Sequence, residues 1–244
     1  LLEYICSERT KMGTMPADPV AVKTIVTTDI AAKIAKEYGV KLIEVLTGFK
    51  FIGEQIGFLE DKGQEDRYIF GFEESYGYLA GSYVRDKDAV VASMLICEMA
   101  AFYRTKGISL IQARENMYKK YGVYVHSQSS FVCEGVTGME RMKEIMSDLR
   151  TNTPKTIGGL TVTRFEDYLA STSVDTATGA KTMLTLPKSD VLTFKLTDGA
   201  SVIIRPSGTE PKIKAYYTTT GTTKAEAAAL EKTISDDFAK ILGF

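Results

Sequence analysis

The stretch from Gly71 to Asp88, GFEESYGYLAGSYVRDKD, is rich in hydroxyl and carboxylate side chains. Two adjacent carboxylates, Glu73 and Glu74, are followed by Ser75, and the charged run at 85–88 ends the stretch. A glycine-containing loop with such groups between two hydrophobic elements is what a polyol site needs, because loops held by a rigid scaffold carry function. An ordinary charged surface loop has the same composition. On its own, this stretch favours that plainer interpretation.

A second candidate is the loop RPSGTEPK at 205–212, which lies between two apolar runs. Arg205 offers a planar fork for a phosphate, and Ser207 and Thr209 add hydroxyl donors. Gly208 lets backbone amides approach an anion closely. The loop is not a nucleotide P-loop, which needs GxxxxGK followed by Ser or Thr at the start of a helix. A simple hairpin connection with the same residues is an equally good interpretation.

Other polar residues give weaker signals. The tight turn 47–50 ends in Lys50, and by itself it indicates a helix start with a solvated lysine. His126, the single histidine, lies within a predicted strand and is interpreted as structural rather than as a general base. No cluster of His, Cys, Asp or Glu has metal-ligand spacing, so no metal site is predicted.

Composition excludes several classes of protein. The 244 residues suit two domains, and 44% hydrophobic with 25% charged residues is typical of a globular chain. A net charge of −1 without a basic run gives no footprint for nucleic acid. The three scattered cysteines indicate reduced thiols in a cytoplasmic protein. No signal peptide is visible, and the most apolar stretch, 89–103, is too short to span a bilayer.

The first half of the chain alternates strands and helices. Strands are predicted at 21–26, 40–46 and 68–70, with a helix after the cap chemistry of Thr27-Thr28-Asp29 and a short helix after residue 47. The run 89–105 is apolar nearly all round and predicts a buried helix. This alternation predicts an α/β/α layered domain with a mixed, mostly parallel sheet.

The second half changes pattern after Gly122. A strand is predicted at 123–133, followed by a helix whose stripe includes Met139, Met142 and Met146, then a loop and three strands at 191–196, 201–204 and 213–219. Capping boxes are predicted at Ser109/Gln112, Thr137/Glu140 and Thr223/Glu226. Strands in succession with helices at the margins predict an antiparallel α+β domain.

Four motifs in order give the chain a resemblance to a known family. They are TGFKFIGE (47–54), GFEESYG (71–77), VRDKDAV (84–90) and RPSGTEPKIK (205–214). Together they resemble the third and fourth domains of the α-D-phosphohexomutase superfamily, nearest to bacterial phosphoglucomutase/phosphomannomutase. That resemblance implies domains at 1–108 (sugar-binding) and 121–244 (phosphate-binding), joined by a connector helix at 109–120.

The resemblance also implies a reaction and roles for residues. Such enzymes move a phosphoryl group between C1 and C6 of a hexose phosphate through a phosphoserine and a bisphosphate sugar. Glu73 and Ser75 would bind the C3 and C4 hydroxyls, with Glu74 pointing away. Lys50 and Lys87 would lie near the sugar and the transferring phosphoryl group, with Lys87 as the catalytic candidate. The non-transferring phosphate would be bound by the residues of the last motif, Arg205, Ser207, Gly208 and Thr209, with Lys214 as a further candidate.

The sequence departs from the family pattern in two places. The phosphoserine loop and the aspartate-rich magnesium loop are absent, and the chain begins LLEY rather than with methionine. We therefore expect a C-terminal fragment that binds no cofactor itself, whereas the full-length enzyme would use Mg²⁺ and glucose 1,6-bisphosphate. Its expected partners are a hexose phosphate and the N-terminal domains of the same chain. Phosphopentose, phosphomannose or phosphoglucosamine specificity, and a non-catalytic phosphosugar-binding protein, remain alternatives.

Overall fold

The chain folds as two units, each with its own apolar core. The computed structural model describes residues 1–135, 137–208 and 210–244. Unit 1 is Leu1–Gly122 and unit 2 is Val123–Phe244. The segment 109–120 falls inside unit 1, and its role as a connector stays a prediction.

Unit 1 is built on a short sheet with helices around it. Its elements are α1 (Leu2–Met12), β1 (Val20–Thr24), α2 (Ile30–Glu37), β2 (Lys41–Val45), α3 (Phe49–Glu60), β3 (Tyr68–Phe72), β4 (Tyr78–Leu79), α4 (Ala89–Thr105) and α5 (Leu110–Tyr121). The strand order is β2-β1-β3-β4, with β1 parallel to β2 and β3, and β4 antiparallel to β3. The predicted α/β unit with a mixed, mostly parallel sheet is confirmed.

Parallel pairing decides where the polar loops of unit 1 lie. The buried strands β1 and β3 and their neighbour β2 all end at the same edge of the sheet. The loops that follow them, 25–29, 46–48 and 73–77, therefore share that edge. Ligands of open α/β sheets bind outside the carboxyl ends of the strands, and two of the predicted motifs lie at that edge of this sheet.

A buried lysine holds two of the elements at this edge together. Lys23 is fully buried near the end of β1, and its Nζ donates to the Thr27 carbonyl at 2.9 Å. The same ammonium lies 3.0 Å from Asp29 Oδ1 and 2.7 Å from Glu44 Oε1. Asp29 stands at the predicted cap position of α2 but makes no side-chain cap hydrogen bond. Its carboxylate is oriented toward Lys23 instead, because a buried ammonium group needs a charged partner.

Helix α4 differs from its prediction. The helix forms at the predicted bounds, and Asp88 caps it by accepting hydrogen bonds from the Val90 and Val91 amides. However, Ala92 is its one buried residue, so the prediction of a buried helix is wrong for this chain. The inner face packs near α1, where the rings of Tyr4 and Phe102 lie 5.2 Å apart. The outer apolar face has no cover within unit 1.

Unit 2 is an antiparallel sheet with two helices. Its described elements are β5 (Val123–Val132), α6 (Gly138–Thr151), β6 (Thr156–Ile157), β7 (Leu160–Asp167), β8 (Thr172–Asp175), β9 (Lys181–Met183), β10 (Leu192–Leu196), β11 (Ser201–Pro206), β12 (Lys212–Gly221) and α7 (Lys224–Ile241). The strand order is β5-β12-β11-β10-β7-β8-β9, with β6 paired to β7. The predicted antiparallel α+β unit is confirmed.

The helices of unit 2 cover one face of this sheet. Alternate residues of the strands, such as Phe194 on β10 and Tyr217 on β12, pack in one core with Met146 of α6 and Phe238 of α7. Strands β6 to β9 were expected to be loop. They have weak apolar patterns, and β9 is exposed throughout. Strand β7 pairs with β10, β6 and β8 pair with β7, and β9 pairs with β8. Ile157 of β6 and Val162 of β7 reach the apolar core of the unit.

The predicted helix caps have mixed outcomes. Thr223 and Glu226 form a complete capping box at α7. Ser109 Oγ accepts a hydrogen bond from the Gln112 amide at α5, which is half of the predicted box. At α6 the prediction is wrong, because Thr137 has near-helical backbone angles and its side chain makes no cap hydrogen bond. An N-cap side chain reaches the helix amides from an extended backbone, which Thr137 lacks.

We expect Lys23→Met to lower the free energy of unfolding of unit 1 by about 1–3 kcal/mol, because it leaves the Thr27 carbonyl without its donor. Lys41→Met, at an exposed position of β2, is the matched control and should change stability by less than about 0.5 kcal/mol. Cys6 is buried in unit 1, so its labelling by a thiol reagent at increasing urea concentration measures the free energy of unfolding of both variants. Equal losses in the two variants would contradict the role given to Lys23.

Candidate functional site

The loop after β3 is closed by its own backbone and by a glutamate side chain. The Glu73 amide donates to the Gly77 carbonyl at 3.0 Å. A Cβ atom at Gly77 would lie only 2.6 Å from Glu73 Oε1. Gly77 is buried. Because it has no side chain, there is room for the Glu73 carboxylate beside it. The loop is therefore a tight turn with one carboxylate packed against it.

The neighbouring carboxylate contacts a different element. Thr24 Oγ1 at the end of β1 donates to Glu74 Oε2 at 3.2 Å, and the Thr24 and Thr27 hydroxyl oxygens are 2.7 Å apart. Both threonines are buried. Glu74 thus links this loop to the end of β1, while Glu73 packs on Gly77. The two adjacent glutamates therefore have separate environments.

The tip of the loop is open to solvent and strained. Ser75 is exposed, and the Tyr76 side chain is 85% exposed. Tyr76 has φ 64°, a left-handed conformation that is unusual for a bulky residue. This backbone places a hydroxyl and an aromatic ring side by side at the surface. Both can meet a ligand without rearrangement of the core.

The two predicted lysines of unit 1 both lie next to the first turn of α3. Lys50 Nζ is 4.8 Å from the centre of the Phe51 ring. Lys87 Nζ is 5.7 Å from the centre of the Phe49 ring and 3.1 Å from Asp86 Oδ1. The TGFK and RDKD motifs are therefore neighbours. The Lys87 backbone amide and its ammonium group hold the pKa of Asp86 below its usual value.

Close packing against α3 fixes the RDKD segment. A Cβ atom at Gly53 would lie 2.3 Å from the Arg85 carbonyl oxygen, so only glycine allows this approach. The Arg85 guanidinium forms an ion pair with Glu60 near the end of the same helix. Lys87 follows two residues later. Its position is therefore set by a backbone contact and an ion pair that involve no ligand.

In unit 2 the predicted phosphate loop is the hairpin between β11 and β12. The Ser207 amide donates to the Lys212 carbonyl at 2.8 Å and closes the hairpin. Gly208 is exposed at its tip. Lys212 pairs with Glu210 and holds the pKa of that carboxyl below its usual value. Thr209, predicted as part of this site, lies outside the described residues.

Two cations stand opposite each other beside this hairpin. Arg205 on β11 is paired in register with Lys214 on β12, so their side chains leave the same face of the sheet. The Arg205 Nε and Nη2 donate to the Tyr216 hydroxyl at 3.4 and 3.3 Å. Facing cations destabilise a strand pair, and an anion bound between them would offset that repulsion. This arrangement can bind a phosphate.

The structure thus gives two sets of candidate residues, one in each unit. Unit 1 brings Lys50 and Lys87 to the start of α3 and presents Glu73 and Ser75 on the neighbouring loop. Unit 2 brings Arg205 and Lys214 together at the hairpin with Ser207 and Gly208. Their roles toward a ligand stay predictions. In the ranges that the structure describes, no three His, Cys, Asp or Glu side chains form a group that could hold a metal ion.

Sequence reasoning missed several residues that support these sets. Lys23, Thr24 and Thr27 order the edge of the sheet behind Glu74, and Tyr216 orients Arg205. A lysine in the middle of a β-branched run was a usable signal for the first group, because such a residue is buried only with partners. Tyr216 gave no signal, since a tyrosine on a strand is ordinary.

Two family models match the chain in the order of its two units. Residues 1–121 match "Phosphoglucomutase/phosphomannomutase, alpha/beta/alpha domain III", and residues 149–236 match "Phosphoglucomutase/phosphomannomutase, C-terminal domain". The chain belongs to the phosphoglucomutase/phosphomannomutase family.

Curated relatives carry the first of these two names. The chain is 39% identical over 195 residues to the phosphoglucomutase of Staphylococcus aureus strain bovine RF122 / ET3-1 and 38% identical to that of strain MRSA252. Each alignment covers 80% of this chain and 35% of the relative. The chain thus matches about a third of the length of these proteins.

Solved structures of low identity support the fold. The open form of pp63/parafusin, a phosphoglucomutase from Paramecium, has a TM-score of 0.69 at 20% identity, covering 99% of this chain and 40% of that one. A putative phosphomannomutase from Thermus thermophilus has a TM-score of 0.58 at 16% identity, with 100% and 40% coverage. Within the described ranges, every helix is too short or too polar to cross a membrane.

We expect Tyr76→Gly to leave the stability of unit 1 unchanged or to raise it by up to about 1.5 kcal/mol. It relieves a left-handed backbone that costs about 1–2 kcal/mol and adds the entropy cost of glycine, about 0.5–1 kcal/mol. Ser75→Gly, at a neighbouring exposed position without positive φ, adds only that entropy cost and should destabilise. Urea unfolding, monitored by the labelling of Cys6, compares the two variants. A similar loss of unfolding free energy in both would contradict the strain at Tyr76.

Proposed function

We propose that this chain is the substrate-binding part of a hexose phosphomutase that interconverts glucose 1-phosphate and glucose 6-phosphate through a phosphoserine enzyme and a bisphosphate intermediate. The observation that carries this proposal is the ordered match to the third and C-terminal family domains, together with curated relatives named phosphoglucomutase. Mannose phosphates are a second candidate substrate class, supported by the family description and by the name of the Thermus thermophilus neighbour. We place the enzyme in the cytoplasm, which its three free cysteines favour.

In unit 1 the proposed task is to bind the sugar. Glu73 and Ser75 accept and donate hydrogen bonds to the C3 and C4 hydroxyls, which lie near the pivot when the bisphosphate turns over. A carboxylate and a hydroxyl can therefore hold the sugar in both orientations. The packing of Glu73 on Gly77 and the exposure of Ser75 support this role. The Glu73 carboxylate is already packed against Gly77 before the sugar arrives, which reduces the entropy lost on binding.

The two lysines have the proposed roles nearest to the chemistry. Lys87 stabilises negative charge on the transferring phosphoryl group and assists proton transfer at the sugar hydroxyl. Lys50 binds the sugar beside it. Their common position at the start of α3, each against a phenylalanine ring, supports a shared task. Lys87 would leave Asp86 for the phosphoryl group, since a phosphoryl group carries more charge than a carboxylate.

In unit 2 the proposed task is to bind the phosphate that is not transferred. Arg205 and Lys214 supply charge, while Ser207, Gly208 and Thr209 supply hydroxyl and backbone donors. The cross-strand pairing of the two cations and the contact of Arg205 with Tyr216 support this assignment. A guanidinium oriented in advance suits the bidentate recognition of a phosphate.

The proposed reaction also needs a phosphoserine and Mg²⁺, and the described residues of this chain do not fit the metal. No group of three carboxylate, imidazole or thiolate side chains is available among them, whereas a protein-bound Mg²⁺ needs carboxylates. We therefore assign the phosphoserine and the metal to other domains of the full-length enzyme. The residues of this chain bind and orient the substrate.

A fusion tests this proposal directly. We expect the chain alone to give no turnover of glucose 1-phosphate in a coupled assay. Joined to the part of the Staphylococcus aureus phosphoglucomutase that precedes the aligned segment, it should form glucose 6-phosphate. Turnover by the chain alone would contradict the assignment of the phosphoserine and the metal to other domains. A fusion that folds, binds hexose phosphates and stays inactive would favour a non-catalytic phosphosugar-binding protein, and a preference for a pentose phosphate would reject the hexose assignment.

We expect Arg205→Ala in the fusion to raise KM by about 10–100-fold, because a hydrogen bond to a charged group contributes about 1.5–3 kcal/mol to binding. Because the phosphate it binds is held alike in the ground and transition states, kcat should change little. Arg164→Ala, at an exposed arginine of β7, is the matched control and should leave KM unchanged. An unchanged KM in Arg205→Ala would reject the phosphate-loop assignment.

A further inference from the structure

Helix α4 presents to solvent a face that is apolar apart from Ser93. Val90 is 81% exposed and Met94 is 59% exposed, and Cys97 is exposed too. These residues follow the spacing i, i+4 and i+7, which places them on one face of a helix. Ile96, which is 40% exposed, widens the face. We call these four residues the α4 face.

The α4 face carries no charge that would suit it to water. From Ala89 to Cys97 the sequence is AVVASMLIC, without a charged residue. The next carboxylate, Glu98, accepts a hydrogen bond from the Tyr4 hydroxyl of α1 at 2.8 Å. Isolated exposed apolar residues are ordinary, but contiguous ones mark an interaction surface. The core of a permanent interface is apolar and poor in charge, as this face is.

We propose that the α4 face is covered by a preceding domain of the same polypeptide, in a permanent contact between domains. This inference rests on the proposed function, in which other domains supply the phosphoserine and the metal. Two observations support that occupant. The curated relatives are matched over only 35% of their length, and the matching family models are the third and the C-terminal domains.

The position of the face in the chain agrees with that occupant. Helix α4 begins at Ala89, two residues after Lys87, the proposed catalytic residue. A domain seated on α4 would therefore lie beside the end of the RDKD segment. The α4 face would thus bring the proposed substrate-binding segment next to a domain that supplies the phosphoserine or the metal. A second copy of the chain has no such reason to dock next to Lys87.

The chain contains its own probe of this contact. Cys97 lies on the α4 face, whereas Cys6 and Cys133 are buried. Burial raises the pKa of the Cys6 thiol to about 12 and also raises that of Cys133. Thiol reagents act on thiolates that they can reach. Near pH 8, labelling of the folded chain should therefore occur at Cys97.

The experiment compares Cys97 labelling in the free chain and in the fusion with the preceding part of the Staphylococcus aureus phosphoglucomutase. Maleimide labelling resolved by peptide mass spectrometry follows the single site. We expect labelling to slow at least tenfold in the fusion. Ala228→Cys in a Cys97→Ser background, at an exposed position of α7, is the matched control and should label at the same rate in both.

A charge placed on the face gives a second measurement. Met94→Glu should leave the free chain folded, since the side chain is largely exposed. In the fusion it should restore Cys97 labelling to within about threefold of the free-chain rate, because burying an unpaired carboxylate is costly. Ala228→Glu adds the same charge at an exposed position of α7, and Cys97 should stay protected in that fusion.

The outcomes separate this inference from the proposed function. An active fusion whose Cys97 labels as fast as in the free chain overturns the covered face and leaves the function standing. A fusion without turnover but with Cys97 protected supports the face and counts against the function. Protection in the free chain that rises with protein concentration assigns the face to a second copy and overturns the proposal.

Discussion

Unit 1 depends on the burial of one ammonium group at the end of β1. Lys23 has no access to water, so its charge must be met inside the protein. It is met by the Thr27 carbonyl, by Asp29 and by Glu44 of the neighbouring strand. The loop after β1 and strand β2 are thereby fixed relative to each other. Because Thr24 then contacts Glu74, the order imposed by Lys23 extends to the loop of Glu73 and Ser75.

Unit 2 orders its candidate site in another way. Arg205 and Lys214 lie on two strands of a regular antiparallel ladder, and the Ser207 amide closes the hairpin between them. Backbone hydrogen bonds rather than buried side chains set the separation of the charges. Tyr216, two residues beyond Lys214, adds a side-chain contact that orients the guanidinium. The proposed sugar loop thus relies on a polar network, and the proposed phosphate hairpin relies on sheet register.

The sequence predicted the features that have strong local signals. The β-branched runs gave β1, β10, β11 and β12, and Thr223 with Glu226 gave the cap of α7. Strands β6 to β9 were missed because their residues alternate weakly and because their pairing, of β7 with β10 and of the others with β7 or β8, cannot be read from local sequence. The cap at Thr137 failed because its backbone is not extended. The motifs identified both candidate groups, but Lys23 and Tyr216, which position them, lie outside any motif and are defined only by contacts distant in sequence.

The contact between Gly53 and Arg85 has a consequence for how such a protein can vary. Gly53 is buried against the Arg85 backbone, and its missing side chain sets how closely the segment that carries Lys87 approaches α3. A mutation at this helix position would therefore act on the site as a displacement rather than as a lost contact. The Arg85 backbone would therefore restrict which residues position 53 can tolerate. A survey of tolerated substitutions that considered only ligand contacts would misplace the limits of the site.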